Sequence, residues 1–196
     1  MMKQILFLCT GNTCRSPMAE AFFRSLAQKK GLAVTVRSAG ISTVDGIPVS
    51  ANSVHALQQH GIQHHGHSTA LNDEVLQWAD LILTMTAGHK REIIRRYPAV
   101  MDHIYTVKEF AYMDDQLQAK LTELEGIYSD LQMQQALGQP LDEMKRQRAM
   151  ELEHSIPSFD VADPFGGSQF VYDECAKELE EAIQKVVDRL ISMKTS

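Results

Sequence analysis

The stretch ILFLCTGNTCRSPMAEAF, residues 5–22, sets a thiol at the end of an apolar run and an arginine six residues later, where a helix begins. Gln4–Leu8 has the pattern of a short buried strand, and Pro17 suits a first helical position, because the amide it lacks would go unbonded there. The amides after Cys9 can then turn inward around one anion, with Gly11 permitting the tight curl. The helix that follows points its positive end at the same spot. Arg15 offers a fork of donors that matches two oxygens of a phosphate. Such a cradle favours the thiolate of Cys9, and a thiolate beside a tetrahedral phosphate suits attack at phosphorus through a phosphocysteine intermediate. Thr10, Gly11, Asn12, Thr13, Cys14 and Ser16 form the phosphate-binding loop on this view. The plainer alternative is a buried cysteine closing a strand, but Gly11 and Ser16 inside the loop, between a strand and a Pro-initiated helix, make the anion cradle more specific.

Thiolate chemistry also needs an acid, since the leaving group takes a proton as it departs. ADPFGGS, residues 162–168, supplies a candidate in Asp163. It precedes a proline, which biases it away from helix, and the glycines after Phe165 make a loop. Taken alone, Asp-Pro is more often a turn; joined to the cysteine loop it becomes a general acid.

These residues need a scaffold, and short apolar runs alternating with amphipathic stretches describe one. Further strands are expected at Val34–Arg37, Leu81–Met85 and, more weakly, His103–Thr106. Helices are expected at Pro17–Lys29, Ser50–His60, Asp73–Ala79, Gly88–Arg96 and about Ser168–Met193. The alternation argues for an α/β fold with a parallel sheet and helices on both faces. From Asp114 to about His154 the rhythm breaks. Leu117, Leu121, Leu124, Tyr128 and Leu131 recur at gaps of four and three, the seam of a coiled-coil helix. GQP at 138–140 is a turn and Leu141–Leu152 a second, more polar helix, so a helical hairpin is expected. It either covers a surface or serves partner binding or self-association.

Composition sets the outer bounds. The 196 residues suit one domain with an appendage, and 44% hydrophobic with 22% charged residues is typical of a globular protein. A net charge of −6 gives no pull toward nucleic acid or anionic membranes. No run approaches the ~18 apolar residues of a membrane span, and the N-terminus lacks a signal-peptide pattern. Three cysteines make no disulfide framework, so a reduced, cytoplasmic setting is expected.

CTGNTCRSPMAEA and DPFGG, with RSAG at 37–40 and ADLILTMT at 79–86, resemble the motifs of the low-molecular-weight protein phosphatases. The resemblance runs through residues 3–110 and 161–192 and leaves the insert outside. It implies a four-stranded parallel sheet flanked by helices, one phosphatase domain over 1–196 with 114–155 inserted. It implies Cys9 as nucleophile, Arg15 as phosphate clamp and Asp163 as general acid and later base. Asn12, Ser16 and Ser38 match polar positions that hold the loop open. Phosphorylated proteins are the implied substrates, with no metal or other cofactor. A family histidine falls nearest Gly66, so His65 and His67 receive no role; His64, His65 and His67 are expected in a solvated turn and not at a metal.

Thr13 narrows the resemblance. Tyrosine-directed members usually carry isoleucine or leucine there, whereas threonine together with an Asp-Pro-Phe-Gly acid loop resembles the protein-arginine phosphatases. A planar guanidinium beside an apolar wall would strand its N–H groups, and a threonine hydroxyl can accept one of them. Thr13 and Phe165 are therefore the selectivity candidates, with a protein-tyrosine phosphatase as the alternative. The resemblance also suggests a reversible Cys9–Cys14 disulfide that spares the nucleophile from irreversible oxidation; otherwise Cys14 is a small apolar spacer. A thioredoxin-coupled arsenate reductase would need relay cysteines that residues 70–100 lack, and a non-catalytic anion sensor would have no use for Asp163.

Overall fold

The computed structural model describes residues 4–195. The strands are β1 (Gln4–Cys9), β2 (Thr35–Gly40), β3 (Leu81–Thr84) and β4 (Ile104–Thr106). The helices are α1 (Arg15–Lys29), α2 (Ala51–Gln59), α3 (Asp73–Trp78), α4 (Ala87–Arg96), α5 (Val107–Tyr112), α6 (Asp115–Ala136), α7 (Glu143–Ser155) and α8 (Gln169–Thr195). A 3-10 turn spans Pro98–His103. All strand pairs are parallel, and the sheet order is β2-β1-β3-β4.

β1 is central, and its unbroken apolar run follows from burial on both faces. Ile5 and Phe7 enter one core with Phe22 and Phe23 of α1 and Leu179 and Ile183 of α8. Leu6 and Leu8 enter the other with Leu76, Ile82 and Ile93. The helix starts are set locally: the side chains of Ser50, Asn72 and Thr86 accept from the amides of Ser53, Val75 and His89, giving α2, α3 and α4 their caps.

Three boundaries depart from the sequence pattern. α1 starts at Arg15, so Pro17 lies within the first turn and not at its first position; its missing amide still has no intrahelical partner there. β2 continues past Arg37 because Ser38, Ala39 and Gly40 pair with Phe7, Leu8 and Cys9. Small residues carry no strand pattern, and the partner strand decides. The 3-10 turn takes His103 from the expected fourth strand, and α5 is too short to show helical spacing.

The chain forms two compact units, one from the segment ending at Tyr112 with that beginning at Phe159, the other Met113–Ser158. The second is a helical hairpin. Asp114 and Asp142 cap α6 and α7 by accepting from Leu117 N and Lys145 N, and Gly138 turns the chain with a left-handed φ of 66°. Arg148 pairs with Glu123 at 2.7 Å, and Lys145 with Asp130, which sets the two helices antiparallel. Leu117 is buried, while Tyr128 of the expected seam is 40% exposed.

Gly40 matters at the carboxyl edge of the sheet. A Cβ there would lie 2.9 Å from the carbonyl oxygen of Thr10 and 3.0 Å from the carbonyl carbon of Gly11, both backbone atoms. Gly40→Ala should therefore destabilise the protein by about 1–3 kcal/mol, measured by denaturant unfolding. A midpoint equal to the wild type's would mean that the loop yields freely.

Candidate active site

β1 has β2 on one side and β3 on the other, so the segment leaving β1 opens into the crevice where the winding of the sheet reverses. Cys9 ends β1, and the chain turns through residues 10–14 before α1 begins. The turn is made by Asn12, in the left-handed region at φ 53°, and not by Gly11 as the sequence suggests. Asparagine tolerates that region where most residues do not.

Asn12 is 1% exposed, and its groups organise the loop. Its amide N donates to Cys9 Sγ at 3.2 Å. Its Nδ2 donates to Ser16 Oγ and Ser38 Oγ, each at 2.9 Å, and its Oδ1 accepts from Thr69 N at 2.8 Å. Ser16 Oγ lies 3.0 Å from Cys9 Sγ, and Ser38 Oγ donates to Glu20 at 2.6 Å. Thr13 is half-buried, its carbonyl accepts from Ser50 N, and its Oγ1 lies 3.6 Å from Cys14 Sγ.

Arg15 is 4% exposed. Its fork donates to Asp163 Oδ2 at 2.6 Å and to the carbonyl of Val161 at 3.3 Å. Asp163, with a half-exposed side chain, also accepts from Phe165 N at 3.2 Å, and left-handed Gly166 (φ 77°) continues the bend. The loop is fastened on several sides. Val161 N donates to Met85 O, Ala87 N donates to Asp160, and the Cys175 thiol faces Ala162 O at 3.7 Å. Phe165 is 79% exposed.

Three further side chains complete the surroundings. His89, on the first turn of α4, sets Nε2 2.9 Å from Thr10 Oγ1; burial first, and then the Arg15 charge, hold it below the ordinary histidine value. Tyr172 places its hydroxyl 3.4 Å from Cys14 Sγ, and burial, followed by that contact, pushes its phenol up to about 12. Burial, then Glu178, pushes the Cys175 thiol up to about 12 as well, so it stays a protonated, inert thiol at neutral pH.

Asp163, distant in sequence, is thus brought to Arg15 beside the loop that Cys9 opens and that Asn12, Ser16 and Ser38 brace. The histidine cluster does not join them. His65 and His67 are exposed, whereas His64 departs from the solvated turn: it is half-buried, and burial lowers its proton affinity. Among the described residues no group of three side chains is arranged to hold a metal ion, and no helix is long and apolar enough to cross a membrane. Sequence reasoning missed His89, Glu20 and Tyr172. The first was within reach of a topological rule, because the segment after β3 must lie at the same carboxyl edge as Cys9.

Comparison with known proteins agrees with this architecture. Residues 4–130 match the family model described as low molecular weight phosphotyrosine protein phosphatase. The chain is 33% identical over 186 residues to the protein-arginine-phosphatase of Bacillus subtilis, covering 95% of each chain. It is 32% identical over 190 residues to that of Geobacillus stearothermophilus, covering 97% of each. A solved structure described as YwlE arginine phosphatase, a cysteine-to-serine mutant with a phosphorylated active-site serine, superposes with a TM-score of 0.71 at 32% identity; 96% of this chain and 95% of that one are covered. The chain belongs to the low molecular weight phosphotyrosine protein phosphatase family, which makes it a cysteine-dependent protein phosphatase by class.

Proposed function

We propose that the protein hydrolyses phosphoarginine in proteins through a phosphocysteine on Cys9. The observation that carries the reaction is the convergence of Cys9 Sγ, the Arg15 fork and the Asp163 carboxyl at the carboxyl edge of β1. The relatives named protein-arginine-phosphatase, similar along almost the whole chain, support the choice of substrate. In this mechanism Arg15 and the loop amides hold the phosphoryl oxygens, and the Cys9 thiolate attacks phosphorus in line. The P–N bond breaks, and Asp163 gives its proton to the departing guanidine nitrogen. Asp163 then takes a proton from a water that attacks phosphorus, which breaks the S–P bond and frees phosphate. Negative charge develops on oxygens already faced by fixed donors, the arrangement that stabilises such transition states.

Cys9→Ser should abolish turnover. In single-turnover formation of the phosphoenzyme, Asp163→Asn should slow a phosphoarginine peptide by about a hundredfold or more, and para-nitrophenyl phosphate, whose leaving group departs unprotonated, far less. Equal losses on both substrates would remove Asp163 from the acid role.

Three cysteines, an odd number that makes no disulfide framework, support a reducing, cytoplasmic setting. Within it, Cys14 serves as a resolving thiol: peroxide oxidises Cys9 to a sulfenic acid, and Cys14 displaces water to form a disulfide. Dithiothreitol should then restore peroxide-treated wild type but not Cys14→Ala. Equal recovery of the two proteins would refute that role.

Substrate choice falls to Thr13 at the half-buried rim of the loop, with exposed Phe165 on the acid loop facing incoming protein. Thr13→Ile removes an acceptor for the guanidinium and adds apolar bulk that suits an aryl ring. The loss of one partner amounts to roughly 1–3 kcal/mol, about ten- to a hundredfold in rate. Phosphoarginine turnover should fall by that factor while phosphotyrosine turnover rises. An unchanged ratio of the two rates would exclude Thr13 as the selector.

A further inference from the structure

Thr10 follows the nucleophile and is gripped on two sides. Its carbonyl accepts from Ser42 N at 2.9 Å, and its Oγ1 meets His89 Nε2 at 2.9 Å. The histidine is itself held by a rigid support. Its backbone N donates to the cap Thr86 at 3.1 Å, and two residues earlier Ala87 N donates to Asp160 at the base of the acid loop.

The ring's protonation state follows from its surroundings. Nδ1 is buried and meets no hydrogen-bond partner among the described residues. An imidazolium would direct a charged N–H at no acceptor, beside Arg15 and at the positive end of α4. Asp163, Glu92 and Asp160 pull the other way, yet burial and Arg15 prevail. The ring is therefore neutral. A bare lone pair at Nδ1 is less costly than a bare N–H, so Nε2 carries the proton and donates to Thr10 Oγ1.

We propose that His89 is a positioning residue of the phosphate loop, fixing Thr10 and the first turn of the loop in the oxyanion-binding conformation through this hydrogen bond. It does not touch the phosphate. The inference rests on Cys9–Arg15 being an oxyanion site and extends that assignment to a residue on α4.

The test is calorimetric titration with orthovanadate of the wild type, His89→Ala, His89→Gln, Thr10→Val and the double variant His89→Ala/Thr10→Val. His89→Ala should weaken binding about tenfold. His89→Gln, whose amide brings a donor to a similar place, should recover most of it. In the Thr10→Val background, His89→Ala should add almost nothing, because the two deletions remove one interaction. Unchanged affinity in His89→Ala, or full additivity in the double variant, overturns the proposal. Should His89→Ala fail to fold, Thr10→Val must weaken binding by a similar factor and Thr10→Ser, which keeps the hydroxyl, must not; equal affinities of these two variants overturn the proposal. Binding needs no turnover, so a protein that binds vanadate but hydrolyses no phosphorylated substrate would refute the phosphatase mechanism and leave this test intact.

Discussion

The site depends on one buried carboxamide. Asn12 must sit in a left-handed conformation for the chain to turn between Cys9 and Arg15, and a buried amide must have its donors and acceptor met. Nδ2 holds Ser16 and Ser38, and Oδ1 holds the backbone of Thr69. Through those bonds α1, β2 and the segment before α3 are tied to the same loop. The conformation costs on the order of 1–3 kcal/mol where the surroundings do not support it. Here three neighbours offset that strain, and Asn12 N is left aimed at Cys9 Sγ. Gly40 has no side chain for the complementary reason: the loop's backbone occupies the space a Cβ would take.

A second constraint is charge. A guanidinium that is 4% exposed needs partners, and Arg15 finds Asp163 and a backbone carbonyl. Breaking such a pair is far more costly than the pair is worth, since it strands a buried charge. The loop carrying Asp163 is therefore held at Arg15, and its anchors to Met85 O and to the start of α4 hold it in register. In the proposed mechanism a phosphate that takes the fork would satisfy the same requirement with two oxygens and release the half-exposed Asp163 carboxyl.

The hairpin Met113–Ser158 obeys simpler rules. Capped ends, a glycine turn and cross-helix pairs between Glu123 and Arg148 and between Asp130 and Lys145 specify two antiparallel helices. Such exposed pairs contribute little stability each and act mainly on register.

Much of this was legible in the residues themselves. The apolar run before Cys9, the arginine six positions on and the Asp-Pro-Phe-Gly loop carry their chemistry in local order, because a strand tip, a helix start and a loop are short-range features. Hence the four-stranded parallel sheet and the two helices of the hairpin could be named from the chain alone. What tertiary structure alone decided is long-range. Pairing with β1 extended β2 through three residues without strand pattern. The left-handed turn falls at Asn12 and not at Gly11, because asparagine tolerates that conformation and Ser16, Ser38 and Thr69 satisfy its buried carboxamide there. His89 and Tyr172 reach the loop from α4 and α8 and Glu20 of α1 holds Ser38 of β2, and no spacing in the chain encodes a contact that exists only once helices settle on the two faces of the sheet.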